Sequence, residues 1–113
     1  MKLYHNPRCS KSRSALELLR AKGHEPEIVL YLETPPTADE IKKILKTLGL
    51  NARDLLRTSE AAYQTLKLSD VSLGDDKLIA AMAAHPELIE RPILVHGRKA
   101  VIGRPPERVL ELL

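Results

Sequence analysis

The sequence predicts an α/β fold: a mixed four-stranded sheet flanked by helices, assembled as a β-α-β half, a helical insert and a β-β-α half. Three observations carry that prediction. A short apolar strand runs directly into a helix and is followed by a second apolar strand. From Pro35-Pro36 to Pro86 the apolar residues recur at helical spacing only. After Pro92 two short apolar runs are separated by a tight turn. A chain of 113 residues is read as a single domain, 1–113. At that size it can bury about two-thirds of its unfolded surface. Phe and Trp are both absent, so the core must be built from Leu, Ile, Val and Ala.

Each element has its own signal. Lys2-Leu3-Tyr4-His5 reads as the first strand. A helix runs from Ser12 to about Lys22, with Ala15, Leu16, Leu18 and Leu19 as its apolar side and Gly23 as the residue that stops it. Ile28-Val29-Leu30 reads as a buried strand, at a distance that suits a right-handed crossover and a parallel pair. Pro35-Pro36 breaks the chain. Thr37 and Glu40 then form a capping box ahead of Ile41, Ile44, Leu45 and Leu48, an amphipathic helix that ends at Gly49. Asn51–Leu56 and Glu60–Leu66 read as short helical turns. Asp75 or Asp76 is expected to cap a helix carrying Leu78, Ala81, Met82 and His85 on one face, with Pro86 as its stop. Ile93-Leu94-Val95, a turn at His96–Lys99 and Ala100-Val101-Ile102 make a β-hairpin, and Glu107 to Leu113 a last helix.

Composition excludes several functions. The net charge of +3 with three Tyr as the only aromatics gives little support to nucleic-acid binding. No run approaches 18 apolar residues and none resembles a signal peptide, so no membrane association and a cytoplasmic location are expected. One cysteine rules out an internal disulfide and fits a reducing compartment. His5, His24, His85 and His96 are scattered, and no metal site is expected. No dinucleotide or phosphate-loop fingerprint is present, so no bound cofactor is expected.

The lone cysteine, Cys9, lies in His5-Asn6-Pro7-Arg8-Cys9-Ser10-Lys11-Ser12-Arg13, between the first strand and the first helix. A thiol there lies beside unpaired helix N–H groups, and the helix dipole favours its anion. Arg8, Lys11 and Arg13 act in the same direction. Lone cysteines often serve as small buried hydrophobes, but the polar, basic surroundings and the Pro7-Arg8 loop favour a thiolate nucleophile. Thiolate chemistry on an oxyanion also needs positive donors, and the planar fork of arginine suits tetrahedral oxyanions. Arg57, Arg91 and Arg104 stand at turns or element ends, where functional groups gather. Spacing alone does not join them to Cys9.

A resemblance does. His5-Asn6-Pro7-x-Cys9-x-x-Ser12-Arg13, Leu30-Tyr31-Leu32-Glu33-x-Pro35-Pro36, Leu55-Leu56-Arg57, His85-Pro86-x-Leu88-Ile89-x-Arg91-Pro92-Ile93 and Arg104-Pro105 together resemble the ArsC family of glutaredoxin-coupled arsenate reductases, nearly end to end and in order. The resemblance implies a thioredoxin-like (glutaredoxin-like) fold. It implies Cys9 as nucleophile, and Arg57, Arg91 and Arg104 as catalytic and substrate-binding residues that hold the anion. It gives His5 a part in keeping the cysteine ionised, Ser12 as a hydrogen-bond donor to the thiolate, Arg13 as a supporting residue, and Pro92 as a cis-proline beside the thiol. It further implies reduction of arsenate to arsenite through a covalent Cys9 adduct, with glutathione as co-substrate, glutaredoxin as partner and a monomeric state. Ser10-Lys11, with Arg8 in front, departs from the small Gly-Thr pair of well-known members, and with Leu113 as the last residue a compact member without the C-terminal extension of longer ones is expected.

Other readings remain open. A cysteine phosphatase would need Cys-x5-Arg, whereas Arg13 comes four residues after Cys9. A redox regulator of this shape would carry Cys-x-x-Cys, and Ser12 occupies the second position. A glutathione-dependent thiol reductase acting on another electrophile fits the residues too.

Overall fold

The computed structural model describes all 113 residues, in two compact units: Met1–Thr34 with Arg91–Leu113, and Pro35–Glu90. The first is a sheet unit. It comprises β1 (Lys2–Tyr4), α1 (Ser10–Ala21), β2 (Glu27–Val29), β3 (Ile93–His96), β4 (Lys99–Ile102) and a 3₁₀ helix over Pro106–Leu112. The strands lie in the order β2-β1-β3-β4, with β1 parallel to β2 and antiparallel to β3, and β3 antiparallel to β4. This is the mixed four-stranded α/β sheet that the sequence predicts.

Register explains the core. Ile28, Leu3, Leu94 and Val101 stand opposite one another across the four strands. Side chains at equivalent register positions point to one face, so this row forms a single apolar stripe. It packs with Ala15, Leu16 and Leu19 of α1 and with Val109 of the C-terminal 3₁₀ helix. Leu3, Leu19 and Leu94 are fully buried, and burial of each contributes about 1.5–3 kcal/mol before chain entropy is set against it. The hairpin turn is tighter than the sequence suggests. His96 and Lys99 pair as strand residues, leaving a two-residue turn that Gly97 enters at φ 63, a conformation side chains resist.

The second unit is helical: α2 (Ala38–Leu48), α3 (Ala52–Leu55), α4 (Ala61–Thr65), α5 (Asp75–Ala84) and a 3₁₀ turn at Pro86–Leu88. The expected capping box forms, with Thr37 Oγ1 accepting from the Glu40 amide at 3.2 Å and Glu40 Oε1 accepting from the Thr37 amide at 3.5 Å. Asn51 and Asp54 make a second box that opens α3. Ile41, Ile44 and Leu45 of α2 and Leu78, Ile79 and Met82 of α5 are buried where the two helices meet. Arg53 donates to the carbonyls of Leu68 and Asp70, which ties down the loop ahead of α5.

Several boundaries differ from expectation. Helix α1 begins at Ser10 rather than Ser12, which makes Cys9 its N-cap residue. Strand β2 ends at Val29, one residue before the expected Leu30. Neither Asp75 nor Asp76 caps α5; Gly74 holds the cap position, and the two carboxylates lie in the first turn, beside the positive end of the helix. The last helix is 3₁₀, beginning at Pro106, whose ring suits a first turn. No helix is long and apolar enough to cross a membrane.

Candidate active site

One end of the sheet gathers the candidate residues. Tyr4 pairs with Val29 in parallel and with Ile93 in antiparallel sense, and Ile93 pairs with Ile102. The chain leaving β1, the chain leaving β2, the chain entering β3 and the chain leaving β4 therefore lie at the same end. These four segments are His5–Cys9, Leu30–Glu33, Arg91-Pro92 and Gly103-Arg104-Pro105.

The thiol segment turns tightly. The Cys9 amide donates to the Asn6 carbonyl at 3.0 Å, and the Arg8 amide donates to Asn6 Oδ1 at 3.0 Å. Asn6 thus acts as a local turn former through its own side chain. Cys9 is extended (φ −96, ψ 123), its carbonyl accepts the first helical bond from the Arg13 amide, and its side chain caps nothing. Its residual exposure is 9%. The first turn of α1 carries no acidic residue, and Arg8, Lys11 and Arg13 are exposed around it. The thiol therefore sits at the N-terminal end of α1, on a segment flanked by basic residues.

His5 and Ser12 are both buried behind this loop. His5 Nδ1 lies 2.6 Å from Ser12 Oγ, which also accepts from the Asn6 amide at 3.0 Å. Burial, reinforced by the charge of Arg20, lowers the His5 pKa below its ordinary 6.5, so the imidazole is neutral at neutral pH. It acts on the loop by hydrogen bonding. The hydroxyl of Ser12 is engaged by His5 and Asn6 and makes no hydrogen bond to Cys9, unlike the arrangement the resemblance implies. Its place is to join β1's exit to α1 behind the thiol.

Arg91 and Arg104 are brought side by side by the base of the hairpin. One step beyond the Ile93–Ile102 pair, the Gly103 amide donates to the Pro92 carbonyl at 2.9 Å. One step further, Arg104 Nη1 donates to the Arg91 carbonyl at 3.3 Å. Gly103 permits this approach: a Cβ there would stand 2.9 Å from Pro92 Cγ and 3.0 Å from Val109 Cγ1. The Arg91-Pro92 bond is cis, as the resemblance implies, and so is Arg104-Pro105, which sequence reasoning missed. Nε and Nη1 of Arg91 are screened from solvent, which strengthens the field they project.

Arg57 belongs to the helical unit. Leu56 forms an isolated bridge with Ile89, and the Arg57 amide donates to the Leu88 carbonyl at 2.8 Å. The guanidinium is ion-paired with Glu60 through Nη1, and its Nε lies 3.5 Å from Glu90 Oε1. Sequence reasoning missed both carboxylates. Glu60 was detectable as an i,i+3 neighbour; Glu90, far along the chain, carried no such signal. No three His, Cys, Asp or Glu side chains gather in a metal-binding arrangement.

Comparison with known proteins places the chain in a family. A relative from Escherichia coli K12, described as uncharacterized protein YfgD, is 56% identical over 114 residues, covering 100% of this chain and 96% of that one. An arsenate reductase from Haemophilus influenzae is 47% identical over 112 residues, covering 98% of this chain and 97% of its own. The solved structure of an arsenate reductase from Vibrio cholerae superposes with a TM-score of 0.96 at 52% identity, covering 100% of this chain and 98% of that one, which makes the fold thioredoxin-like. The sequence pattern of the ArsC family matches residues 4–112, and the chain belongs to that family.

Proposed function

We propose that the protein is an arsenate reductase that uses Cys9 as its nucleophile and an external thiol as reductant. The observation that carries this reading is the convergence of Cys9, Arg91 and Arg104 at one end of the sheet. A thiol at a helix N-terminus, with two arginines on neighbouring segments at the same end of the sheet, supplies the groups needed to bind a tetrahedral oxyanion and attack its central atom. Relatives named arsenate reductase support arsenate as that oxyanion. Arg57 is the third cation by family correspondence.

The reaction balances in three steps. The Cys9 thiolate attacks As(V), an As–O bond breaks, and the oxygen leaves as water after protonation. Glutathione thiolate then attacks Cys9 Sγ; the S–S bond forms, the S–As bond breaks, and its electron pair stays on arsenic, releasing As(III) as arsenite. The chain holds no second cysteine, so the mixed disulfide has no internal resolving thiol, and glutaredoxin supplies the thiol that regenerates Cys9. Arg91 and Arg104 neutralise the charge on the arsenate oxygens during the first step. Gly103 and Pro92 hold the two arginines together, and Ser12 with His5 holds the loop that presents the thiol.

The test is NADPH consumption coupled through glutathione reductase, glutathione and glutaredoxin, with and without arsenate, for wild type and Cys9→Ser. Arsenate-dependent turnover that vanishes in the variant is the expected result. A folded wild-type protein with no arsenate turnover would move the function to another electrophile, and a Cys9→Ser variant with normal turnover would sink the nucleophile assignment.

A further inference from the structure

A cleft of about 230 Å³ opens beside the thiol loop. One wall is Asn6-Pro7-Arg8, the residues that lead into Cys9; the other is Leu30, Leu32 and Glu33, the chain leaving β2. Its volume is below the range of about 300–1,000 Å³ for drug-sized sites, which suits a short peptide better than a nucleotide. The two walls differ in charge. Arg8 and Glu33 are both exposed, and neither forms an ion pair within the chain. Leu32 stays 42% exposed and, with Leu30, gives the wall an apolar stretch. A carboxylate on one side and a guanidinium on the other do not suit an oxyanion, which Glu33 would repel. They suit a molecule with separated positive and negative ends and an apolar stem between them.

We propose that this cleft seats the external reductant as a short peptide thiol, with a carboxylate toward Arg8 and its ammonium toward Glu33. The proposal rests on the external-thiol reading above and says where that thiol is held. Arg8 directly precedes Cys9 in the chain, so a carboxylate held there seats the peptide against the loop that carries the nucleophile. Arg91 and Arg104, on the segments entering β3 and leaving β4, remain for the oxyanion. Thiols without a paired ammonium and carboxylate gain nothing from this seat, so the cleft also selects among reductants.

The test uses S-methylglutathione, which has the charges of the peptide thiol but cannot react, titrated into the ¹⁵N-labelled full chain. Saturable amide shifts centred on Asn6, Arg8 and Leu30–Glu33 are expected. The dissociation constant should rise about threefold in Glu33→Gln and about tenfold in Glu33→Lys, the scale of an exposed ion pair lost and then reversed. It should be unchanged in Glu17→Lys, the same charge change on the exposed side of α1. Shifts centred elsewhere, no saturable shift, or equal affinity in Glu33→Lys with a native-like spectrum would each overturn the proposal. Because the probe does not react, loss of arsenate turnover removes the proposed function and leaves the seat standing. Loss of the shifts removes the seat and leaves the proposed function standing.

Discussion

In the sheet unit Arg91 and Arg104 are placed by backbone register, whereas in the helical unit Arg57 is placed by two carboxylates. The first pair sits where the β3–β4 ladder runs on through Pro92 and Gly103, with the Arg104 guanidinium donating to the Arg91 carbonyl. The backbone positions of both come from strand register and one close glycine contact. Arg57 is held by Glu60 and Glu90. An arginine held that way must exchange a carboxylate for any oxyanion it binds. The comparison teaches that strand register sets the backbone of two members of a family-matched arginine set, whereas carboxylates of its own unit orient the third.

Removing an arginine placed by register should have the largest effect. Arg91→Ala or Arg104→Ala should cost about 2–4 kcal/mol of transition-state stabilisation, read as a fall in kcat/KM for arsenate with the fold intact. A smaller fall at either position than in Arg57→Ala would invert the comparison. Disturbing the register without touching a charge comes next. Gly103→Ala puts a methyl into the Pro92 ring and Val109, and should lose about 1–3 kcal/mol of stability in urea unfolding, together with activity. An unchanged midpoint would mean that the close contact is not what holds the arginines together.

Releasing Arg57 should act in the opposite direction and more weakly. Glu60→Gln removes one competing carboxylate and should lower KM for arsenate by up to about 1 kcal/mol in binding, the scale of a partly exposed ion pair. A raised KM would show that Glu60 orients Arg57 rather than competing with the substrate. The smallest effect belongs to His5. Its folded pKa is lowered from 6.5, so the unfolded chain binds the proton more tightly, and stability contributed by the neutral ring is lost as pH falls from about 6.5 toward the folded value. That part of the pH dependence of unfolding should be absent in His5→Asn; an identical slope below pH 6.5 in both proteins would assign the dependence elsewhere.

Local chemistry was legible wherever it is carried by neighbours in the chain. The Thr37–Glu40 box, the break at Pro35-Pro36, the hairpin around Gly97 and the thiol at the head of α1 each depend on residues within a few positions of one another. Local reading failed where two local candidates compete, as with Gly74 against Asp75 and Asp76 at the start of α5. It failed again where distant partners bear on backbone geometry, as with the 3₁₀ character of Pro106–Leu112, a segment packed against α1 and β4.

By itself, the sequence determined the α/β class, the element order, the single cysteine and, through the ordered family motifs, the residues worth placing. The first three derive from periodicity, turn chemistry and composition, and the last from the family resemblance. Only the tertiary structure decided that Ser12 serves His5 and Asn6 rather than Cys9, that Gly103 is what lets Arg104 stand beside Arg91, and that Glu90 joins Glu60 on Arg57. Each of these joins residues that only strand register or a long-range bridge brings within hydrogen-bond reach.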